Sequence, residues 1–171
     1  MSDRRVVVTG LGLVAPVGLD VASGWESILA GKSGIQPITH FDIEPFSVRF
    51  GGPVYGFDVE EYIPKKEAKK MDAFIHYGIA AGVQAITDSG IEITDANSKR
   101  IGVAIGSGIG GLSTIEEQFT VLTQRGARRV SPYFVPKIMM NAAGGQISIN
   151  YGLRGPNFAT ASACATATHA V

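Results

Sequence analysis

Residues 157–171 read NFATASACATATHAV, and this stretch holds the only cysteine of the chain, Cys164. An apolar and small-residue run, residues 158–161, leads into the cysteine, and further small residues follow it. The pattern predicts a strand, a tight turn and the first turns of a helix, with the thiol at the junction. A thiol at that place lies near unpaired backbone N–H groups and the positive end of the helix dipole. Both favour the nucleophilic thiolate.

A second interpretation of Cys164 stays open at this point. A lone cysteine is often a small buried hydrophobe without a chemical role. The histidines at 40, 76 and 169 offer no clear general base, because His169 follows by five residues and lies off the cysteine's face of a helix. The sequence has no metal-ligand spacing either. If Cys164 is catalytic, its acid–base partners are expected outside these 171 residues.

The length and composition fit one globular domain with a sizeable core, since 45% of the 171 residues are hydrophobic. Lys+Arg and Asp+Glu balance at 15 each, so no overall field indicates nucleic acid or a membrane as a partner. All the acidic residues precede position 118, which leaves the final third basic and otherwise apolar. No apolar stretch reaches the length of a bilayer span. A single cysteine excludes an internal disulfide and fits a reducing compartment, so a cytoplasmic location is expected.

Periodicity and turn residues predict alternating strands and helices, hence an α/β layered fold with a largely parallel sheet. The predicted strands are residues 4–9, 100–106 and 158–161, and the predicted helices are residues 21–30, 65–89, 112–124, 137–150 and the one that Cys164 begins. Loops and short strands are expected over residues 35–57, and a proline-bounded aromatic segment (SPYFVP) over residues 131–136. Because the chain stops about two turns into an uncapped last helix, we expect residues 1–171 to be part of a longer protein.

Two glycine-rich loops follow predicted strands. GSGIGG at residues 106–111 satisfies G-x-G-x-x-G, and GLGLVA at residues 10–15 satisfies the weaker G-x-G-x-x-A. Either loop could cradle a pyrophosphate at a helix N-terminus, so a nucleotide-binding α/β domain is one hypothesis. The acid expected roughly 20 residues beyond the glycines is missing after the GSGIGG loop, and Pro16 interrupts the helix that should follow the first loop. Tight turns and close helix–sheet packing fit both loops better.

A run of lysines occupies the first turns of the predicted helix at residues 65–89: Lys65, Lys66, Lys69 and Lys70. Cations near a helix N-terminus interact unfavourably with the helix dipole, so helix stability does not explain this run of lysines. A solvated face is the simpler one, because isolated surface charges cost little. A docking site for an acidic partner is the alternative.

Six segments in order resemble the amino-terminal part of the β-ketoacyl-acyl-carrier-protein synthase II family, the elongating condensing enzymes of bacterial fatty acid synthesis. They are RRVVVTGLGLVAPVG, KKEAKKMDAFIHYG, IGSGIGG, SPYFVPKIMMN, YGLRGPN and ASACATATHAV. The resemblance implies the thiolase-like fold, whose complete form stacks two similar α/β halves in layers α-β-α-β-α. Residues 1–171 would be most of the N-terminal half, ending within the helix that follows the nucleophile. The resemblance also implies a homodimer.

The resemblance implies a two-stage reaction without a cofactor or a metal. Cys164 matches the nucleophile that takes the acyl group from acyl carrier protein as a thioester. Malonyl carrier protein then loses CO₂, and its carbanion attacks that thioester. The backbone N–H of the cysteine would stabilise the oxyanion. The family's two active-site histidines and its lysine belong to the second half, so residues 1–171 alone are expected not to condense.

Other family residues carry over by position. Ile109 and Gly108, within GSGIGG, match the acyl pocket, where Ile109 is the gate, and Phe134, within SPYFVP, matches an aromatic that reaches the partner subunit's pocket. The surface that docks the acidic carrier protein is matched by Lys66, Lys69, Lys70, Arg128 and Arg129. Ser162 departs from the usual threonine and, with the small residues after the cysteine, leaves chain-length preference open. Within the same fold, a sister synthase specialised for monounsaturated chains, a polyketide ketosynthase and a non-catalytic dimer subunit are alternatives.

Overall fold

A computed structural model describes residues 5–171, and residues 1–4 lie outside the description. The helices are α1 (Val21–Leu29), α2 (Lys65–Ala68), α3 (Ala73–Ser89), α4 (Leu112–Arg125), α5 (Phe134–Ile138), α6 (Ala142–Tyr151) and α7 (Thr166–Ala170). The strands are β1 (Gln36–Pro37), β2 (Phe50–Gly51), β3 (Val103–Ala104) and β4 (Asn157–Phe158). Single turns of 3-10 helix lie at Val59–Glu61, Ser98–Arg100, Ala127–Arg129 and Ala163–Ala165.

The contact between α3 and α6 forms the centre of the molecule. Ile75 and Ile79 of α3 and Ile147 of α6 are buried in one cluster. The helices approach closely because α3 presents a glycine at the crossing: a methyl group at Gly78 would lie 3.0 Å from Cβ of Ala143. Burial of each isoleucine side chain contributes about 1.5–3 kcal/mol. This helix pair is therefore the rigid support on which the surrounding loops are placed.

A short parallel strand pair lies against α6. Val103 of β3 is opposite Asn157 of β4, and Ala104 is opposite Phe158. The helix packs on this pair, since a methyl group at Gly144 would lie 3.4 Å from Cγ1 of Val103. The order α3, α6, β3–β4 confirms the predicted layering of helices on a parallel sheet. The loops and short strands expected over residues 35–57 are also confirmed, as the antiparallel pair β1–β2.

The predicted strand at residues 4–9 is wrong over the part that the structure describes. Residues 5–9 carry no secondary structure, and Val6, Val7 and Val8 are exposed. A strand forms only beside a hydrogen-bonding neighbour, and within residues 5–171 no strand pairs with this run. The predicted strand at residues 100–106 is also shorter than expected, because Arg100 lies in a 3-10 turn and only Val103–Ala104 are paired.

Two predicted helices are each divided in two. The helix expected at residues 65–89 breaks at Asp72, whose extended backbone and side chain cap the start of α3. The helix expected at residues 137–150 breaks at Met139, which is also extended. Its first part, α5, begins earlier than predicted, because Pro136 falls in the first turn, where a missing N–H costs no helical hydrogen bond.

The remaining helices follow the sequence signals. The prediction for residues 21–30 is confirmed by α1, whose Asp20 forms a capping box with Ser23. The prediction for residues 112–124 is confirmed by α4, which is one residue longer. Gly90 and Gly152 end α3 and α6 in the left-handed conformation that glycine adopts without a steric penalty.

Candidate active site

The cysteine lies where the sequence places it, between a strand and a helix. Strand β4 ends at Phe158, a single 3-10 turn spans Ala163–Ala165, and α7 continues from Thr166. Cys164 is a free thiol and its residue is exposed to solvent. Over the described residues 5–171, Cys164 is therefore not packed as a buried hydrophobe.

Two buried or half-buried threonines hold the turn that presents the thiol. The hydroxyl of Thr166 accepts a hydrogen bond from the Ser162 N–H at 2.9 Å, and the hydroxyl of Thr160 donates to the Thr166 carbonyl at 3.0 Å. Ala163 takes a left-handed backbone conformation, φ 50°, the one non-glycine residue to do so in the described chain. That conformation costs roughly 1–2 kcal/mol. The threonine bonds offset this cost, and the turn that carries Cys164 is fixed rather than loose.

A histidine joins the turn in a way that helical spacing does not predict. Nδ1 of His169 lies 2.6 Å from Oγ of Ser162. Helical spacing predicts that His169 lies off the face of Cys164, and in the structure His169 pairs with the serine two residues before the thiol. The 3-10 turn before α7 produces this pairing, because it winds the chain more tightly than an α-helix does. This contact joins Ser162, which precedes the 3-10 turn, to helix α7, which follows it.

The GSGIGG loop lies directly on the cysteine turn. A methyl group at Gly106 would collide with Cγ2 of Thr166 and would lie 2.5 Å from Oγ1 of Thr160. A methyl group at Gly108 would lie 3.7 Å from the Ala163 carbonyl oxygen. The glycines thus let two backbone segments meet, as the packing interpretation predicted. The space beside Gly106 and Gly108 is occupied by the cysteine turn, so a pyrophosphate could not bind there.

An open apolar groove runs beside this contact. Its volume is about 620 Å³, and its lining consists of Ile109, Ile115, Ile138, Met139, Met140, Asn141 and Ala159. Ile109 is 66% exposed, so its side chain projects over the groove instead of packing into the core. Of the three residues predicted for an acyl pocket, Ile109 lies in this lining, Gly108 lies behind it against the cysteine turn, and half-buried Phe134 begins α5 outside the lining.

Asp72 is a site residue that the sequence analysis missed. Its carboxylate accepts from the N–H of Phe74 at 3.5 Å, and also from the N–H and the hydroxyl of Thr114 at 3.1 and 2.6 Å. It therefore serves the N-termini of α3 and α4 together. An aspartate before an apolar periodic run is a helix-start signal, but here the signal lay inside a stretch already predicted to be helical.

The predicted docking lysines are placed on and just after α2. Lys66 and Lys69 are exposed, whereas Lys70 is 32% exposed in its side chain and pairs with Glu67 at 2.8 Å. The hydrogen bond that the Lys70 ammonium donates to the Glu67 carboxylate raises the pKa of Lys70 above its ordinary value. Its Nζ also lies 5.8 Å from the ring centre of Tyr133.

The ring of Tyr133, which Lys70 covers, belongs to the segment that follows the predicted docking arginines. Arg128 and Arg129 are exposed in the 3-10 turn that follows α4, four residues before the tyrosine ring that Lys70 covers. The N–H of Ser131 donates to Oε1 of Gln118 at 2.7 Å and ties this segment to α4. The fold therefore brings Lys70 beside the segment that follows the arginines, although the two are about 60 positions apart in the sequence.

The structure shows neither a metal centre nor a spanning helix in its described part. Within residues 5–171, no group of three His, Cys, Asp or Glu side chains is arranged to hold a metal ion. None of the helices over the same residues combines the length and the apolar character that crossing a membrane requires.

Comparison with known sequences identifies relatives along nearly the whole chain. Residues 3–171 match the family model for the beta-ketoacyl synthase N-terminal domain. The chain is 57% identical over 169 residues to 3-oxoacyl-[acyl-carrier-protein] synthase 2 of Vibrio cholerae, covering 99% of this chain and 41% of that protein. Its identity to the protein of the same name from Staphylococcus aureus is 47%, with the same coverage. The chain thus spans 41% of the length of these curated relatives.

Comparison with solved structures supports the fold. A beta-ketoacyl synthase from Burkholderia phymatum aligns with a TM-score of 0.79 at 26% identity, over 95% of this chain and 40% of that one. A ketosynthase from a type II polyketide system, solved with its acyl carrier protein, aligns with a TM-score of 0.77 at 24% identity, over 96% of this chain and 43% of that one. The thiolase-like α/β fold class is therefore confirmed, in its N-terminal portion.

Proposed function

This chain belongs to the β-ketoacyl synthase family, as its N-terminal domain, and we propose that the complete protein is a 3-oxoacyl-[acyl-carrier-protein] synthase of fatty acid elongation. One observation carries the proposal: the strand-to-helix turn that holds exposed Cys164 is contacted by the glycine-rich loop whose Ile109 lines an apolar groove. The thiol supplies the nucleophile, and the groove offers a surface for an alkyl chain. Together they fit an acyl group held on sulfur.

The first stage of the reaction uses Cys164. Its thiolate attacks the carbonyl carbon of the acyl carrier protein thioester, a tetrahedral oxyanion forms, and the carrier's thiolate leaves. The acyl group is then a thioester of Cys164. In the second stage malonyl carrier protein loses CO₂, and the resulting carbanion attacks the Cys164 thioester, which returns the thiolate and releases the 3-oxoacyl carrier protein. The first stage replaces one C–S bond of the acyl carbon by another, and the second stage replaces the C–S bond to Cys164 by a C–C bond. Neither stage requires an external oxidant or a cofactor.

The acyl chain is proposed to leave the thioester along the Ile109 groove. Ile109, whose side chain projects over the groove, acts as its gate, and Gly108 lets the gate loop lie against the cysteine turn. Phe134 is proposed to contribute to the pocket of a second subunit.

The same proposal includes a homodimer acting in the cytoplasm. Helix α4 supports the dimer, because it exposes an apolar stripe at helical spacing: Leu112, Ile115, Phe119 and Leu122. The lone free cysteine supports a reducing compartment.

The carrier protein is proposed to dock on the basic surface of Lys66, Lys69, Lys70, Arg128 and Arg129. Four of these side chains belong to exposed residues, and the fold places Lys70 beside the segment that follows the arginines. Charge of this kind speeds encounter and sets the orientation of docking. An acidic carrier protein bearing the acyl group is the partner that this surface fits.

The test is a condensation assay on the full-length protein with acyl- and malonyl-carrier protein. Formation of 3-oxoacyl carrier protein, abolished by Cys164→Ala in a variant that remains folded, is the expected result. A full-length wild-type protein that dimerises but forms no 3-oxoacyl product would contradict the proposal and favour a non-catalytic subunit. Retention on a nicotinamide nucleotide column without product would instead favour nucleotide binding.

A further inference from the structure

We propose that the buried Asp72–Thr114 pair is a positioning contact for the loop at residues 107–111, and that it selects which acyl chain lengths pass Ile109. The proposal rests on the function proposed above. It concerns placement of the loop and not contact with the reacting atoms. The sequence separates the two partners by 42 positions, so the contact is a product of the fold.

The geometry identifies Asp72 as a helix cap supplied from elsewhere in the sequence. The Thr114 N–H is the third amide of α4, one of those that an N-cap side chain ordinarily satisfies. The residue in the N-cap position of α4 is Gly111, which has no side chain to offer. Asp72 takes its place, and both members of the pair are buried, at 9% and 4% exposure.

The end of the loop packs closely against both Asp72 and α5. A methyl group at Gly111 would lie 3.2 Å from Oδ2 of Asp72 and 2.6 Å from the Lys137 carbonyl oxygen. Within the loop, the Gly110 N–H donates to the hydroxyl of Ser107 at 3.0 Å. The backbone on both sides of Ile109 is therefore fixed by specific contacts.

The position of the Ile109 side chain follows from these contacts. Because the side chain is two-thirds exposed, packing does not hold it, and its place over the groove depends on the backbone. The same loop touches the cysteine turn through Gly108 and Ala163. A change at Asp72 is thus transmitted to the distance between the gate and the thiol, and displacements of about 1 Å can change rates by about 100-fold.

The test compares four variants of the full-length protein. Asp72→Asn keeps the shape of the cap and removes its charge. Thr114→Val keeps the shape of its partner and removes the hydroxyl, whereas Thr114→Ser retains the hydroxyl and is expected to rescue. Asp20→Asn is the control, because Asp20 caps its own helix α1 and forms no hydrogen bond with the loop.

Two readouts are measured on each variant. The first is amide hydrogen exchange of residues 107–112, which needs no activity. The second is the ratio of kcat/KM for a long and a short acyl carrier protein donor. We expect Asp72→Asn and Thr114→Val to speed exchange about tenfold and to shift the ratio about tenfold. Thr114→Ser and Asp20→Asn are expected to stay within about twofold of the wild type.

The outcomes separate this inference from the proposed function. An unchanged exchange rate in folded Asp72→Asn and Thr114→Val overturns the positioning role, whether or not the wild type is active. Changed exchange with an unchanged donor ratio overturns the link to chain length. Failure of Thr114→Val to fold also overturns the inference, because the pair would then support the core. A wild type that accepts no acyl group refutes the proposed function, while the exchange data still test the positioning contact.

Discussion

The two glycine-rich loops look alike in sequence and lie in different surroundings. In the first loop, Gly10 and Gly12 press against the backbone of α3, where a methyl group on either would collide with a carbonyl oxygen. The N–H groups of Leu11 and Leu13 donate to side chains of the same helix, at 2.9 and 3.0 Å. In the second loop Gly106 and Gly108 press against the turn that carries Cys164, whereas Gly110 and Gly111 press against α5.

Matched positions show the difference between the loops most clearly. Leu13 and Ile109 occupy the same place in the glycine pattern. Leu13 packs against α1, where a methyl group at Gly24 would collide with its Cδ2, whereas Ile109 projects over the groove. In both loops, therefore, the glycine pattern permits close approach of the backbone to a neighbouring segment. Whether a loop supports the fold or contributes to the candidate site depends on which segment it contacts.

The largest change in acyl-transfer rate is expected when an added methyl group crowds the contact between the second loop and the cysteine turn. Gly106→Ala places a methyl group against Thr160 and Thr166, and it is expected to slow acyl transfer about 100-fold per folded molecule, because the thiol is displaced. Gly12→Ala is the matched change in the first loop. It is expected to destabilise the fold by about 1–3 kcal/mol and to leave the transfer rate of the folded fraction within about twofold.

Single-turnover acyl transfer and denaturant unfolding of both glycine variants give the two quantities. Equal loss of transfer rate in Gly106→Ala and Gly12→Ala would mean that both loops are only structural. The distinction between scaffold and site would then be lost.

The next effect concerns the carrier protein, which is expected to approach the second loop's side of the molecule. Lys69→Glu with Lys70→Glu is expected to slow acylation from carrier protein about tenfold at low salt, and less at high salt, because opposite charge steers the encounter. Acylation from a small-molecule thioester should not change.

Lys32→Glu with Lys99→Glu makes the same change of charge away from the proposed docking surface. If this control slows carrier-dependent acylation as much as the Lys69 and Lys70 pair does, net charge explains the effect and a docking surface does not.

The third effect is a change of substrate range at the matched positions, which is confined to the longest donors. Ile109→Phe enlarges a side chain that projects over the groove, so it is expected to lower kcat/KM for the longest donors about tenfold and to leave short donors unchanged. Leu13→Phe should instead lower stability without changing the product range, because Leu13 is packed. Gas chromatography of the released acyl chains measures the range. An unchanged range in Ile109→Phe would remove this residue from the gate.

Local signals in the sequence predicted much of this arrangement. The junction around Cys164, the cap at Asp20 and the end of α3 at Gly90 depend on turn and capping residues a few positions apart, and each was confirmed. The strand predicted at residues 4–9 was wrong over residues 5–9, because apolar residues form a strand only beside a neighbouring strand and none pairs with them within residues 5–171.

The contacts that complete the candidate site could not be predicted in this way. Asp72 and Thr114 meet across 42 positions, and only the tertiary fold brings the N-terminal ends of α3 and α4 together. The pairing of Ser162 with His169 depends on a 3-10 turn that has no distinct signature in residues of such small size. Helical periodicity was therefore a sound guide to the elements and a poor guide to side chains at their ends.

We expect the strand-to-helix turn to present Cys164 as the residue that accepts the acyl group. The most direct measurement is the mass of the Cys164 peptide after full-length protein is incubated with acyl carrier protein and digested. The account predicts that the peptide gains the mass of the acyl group minus one hydrogen, and that no other peptide does. An unmodified Cys164 peptide, or the acyl group on a different residue, would contradict it.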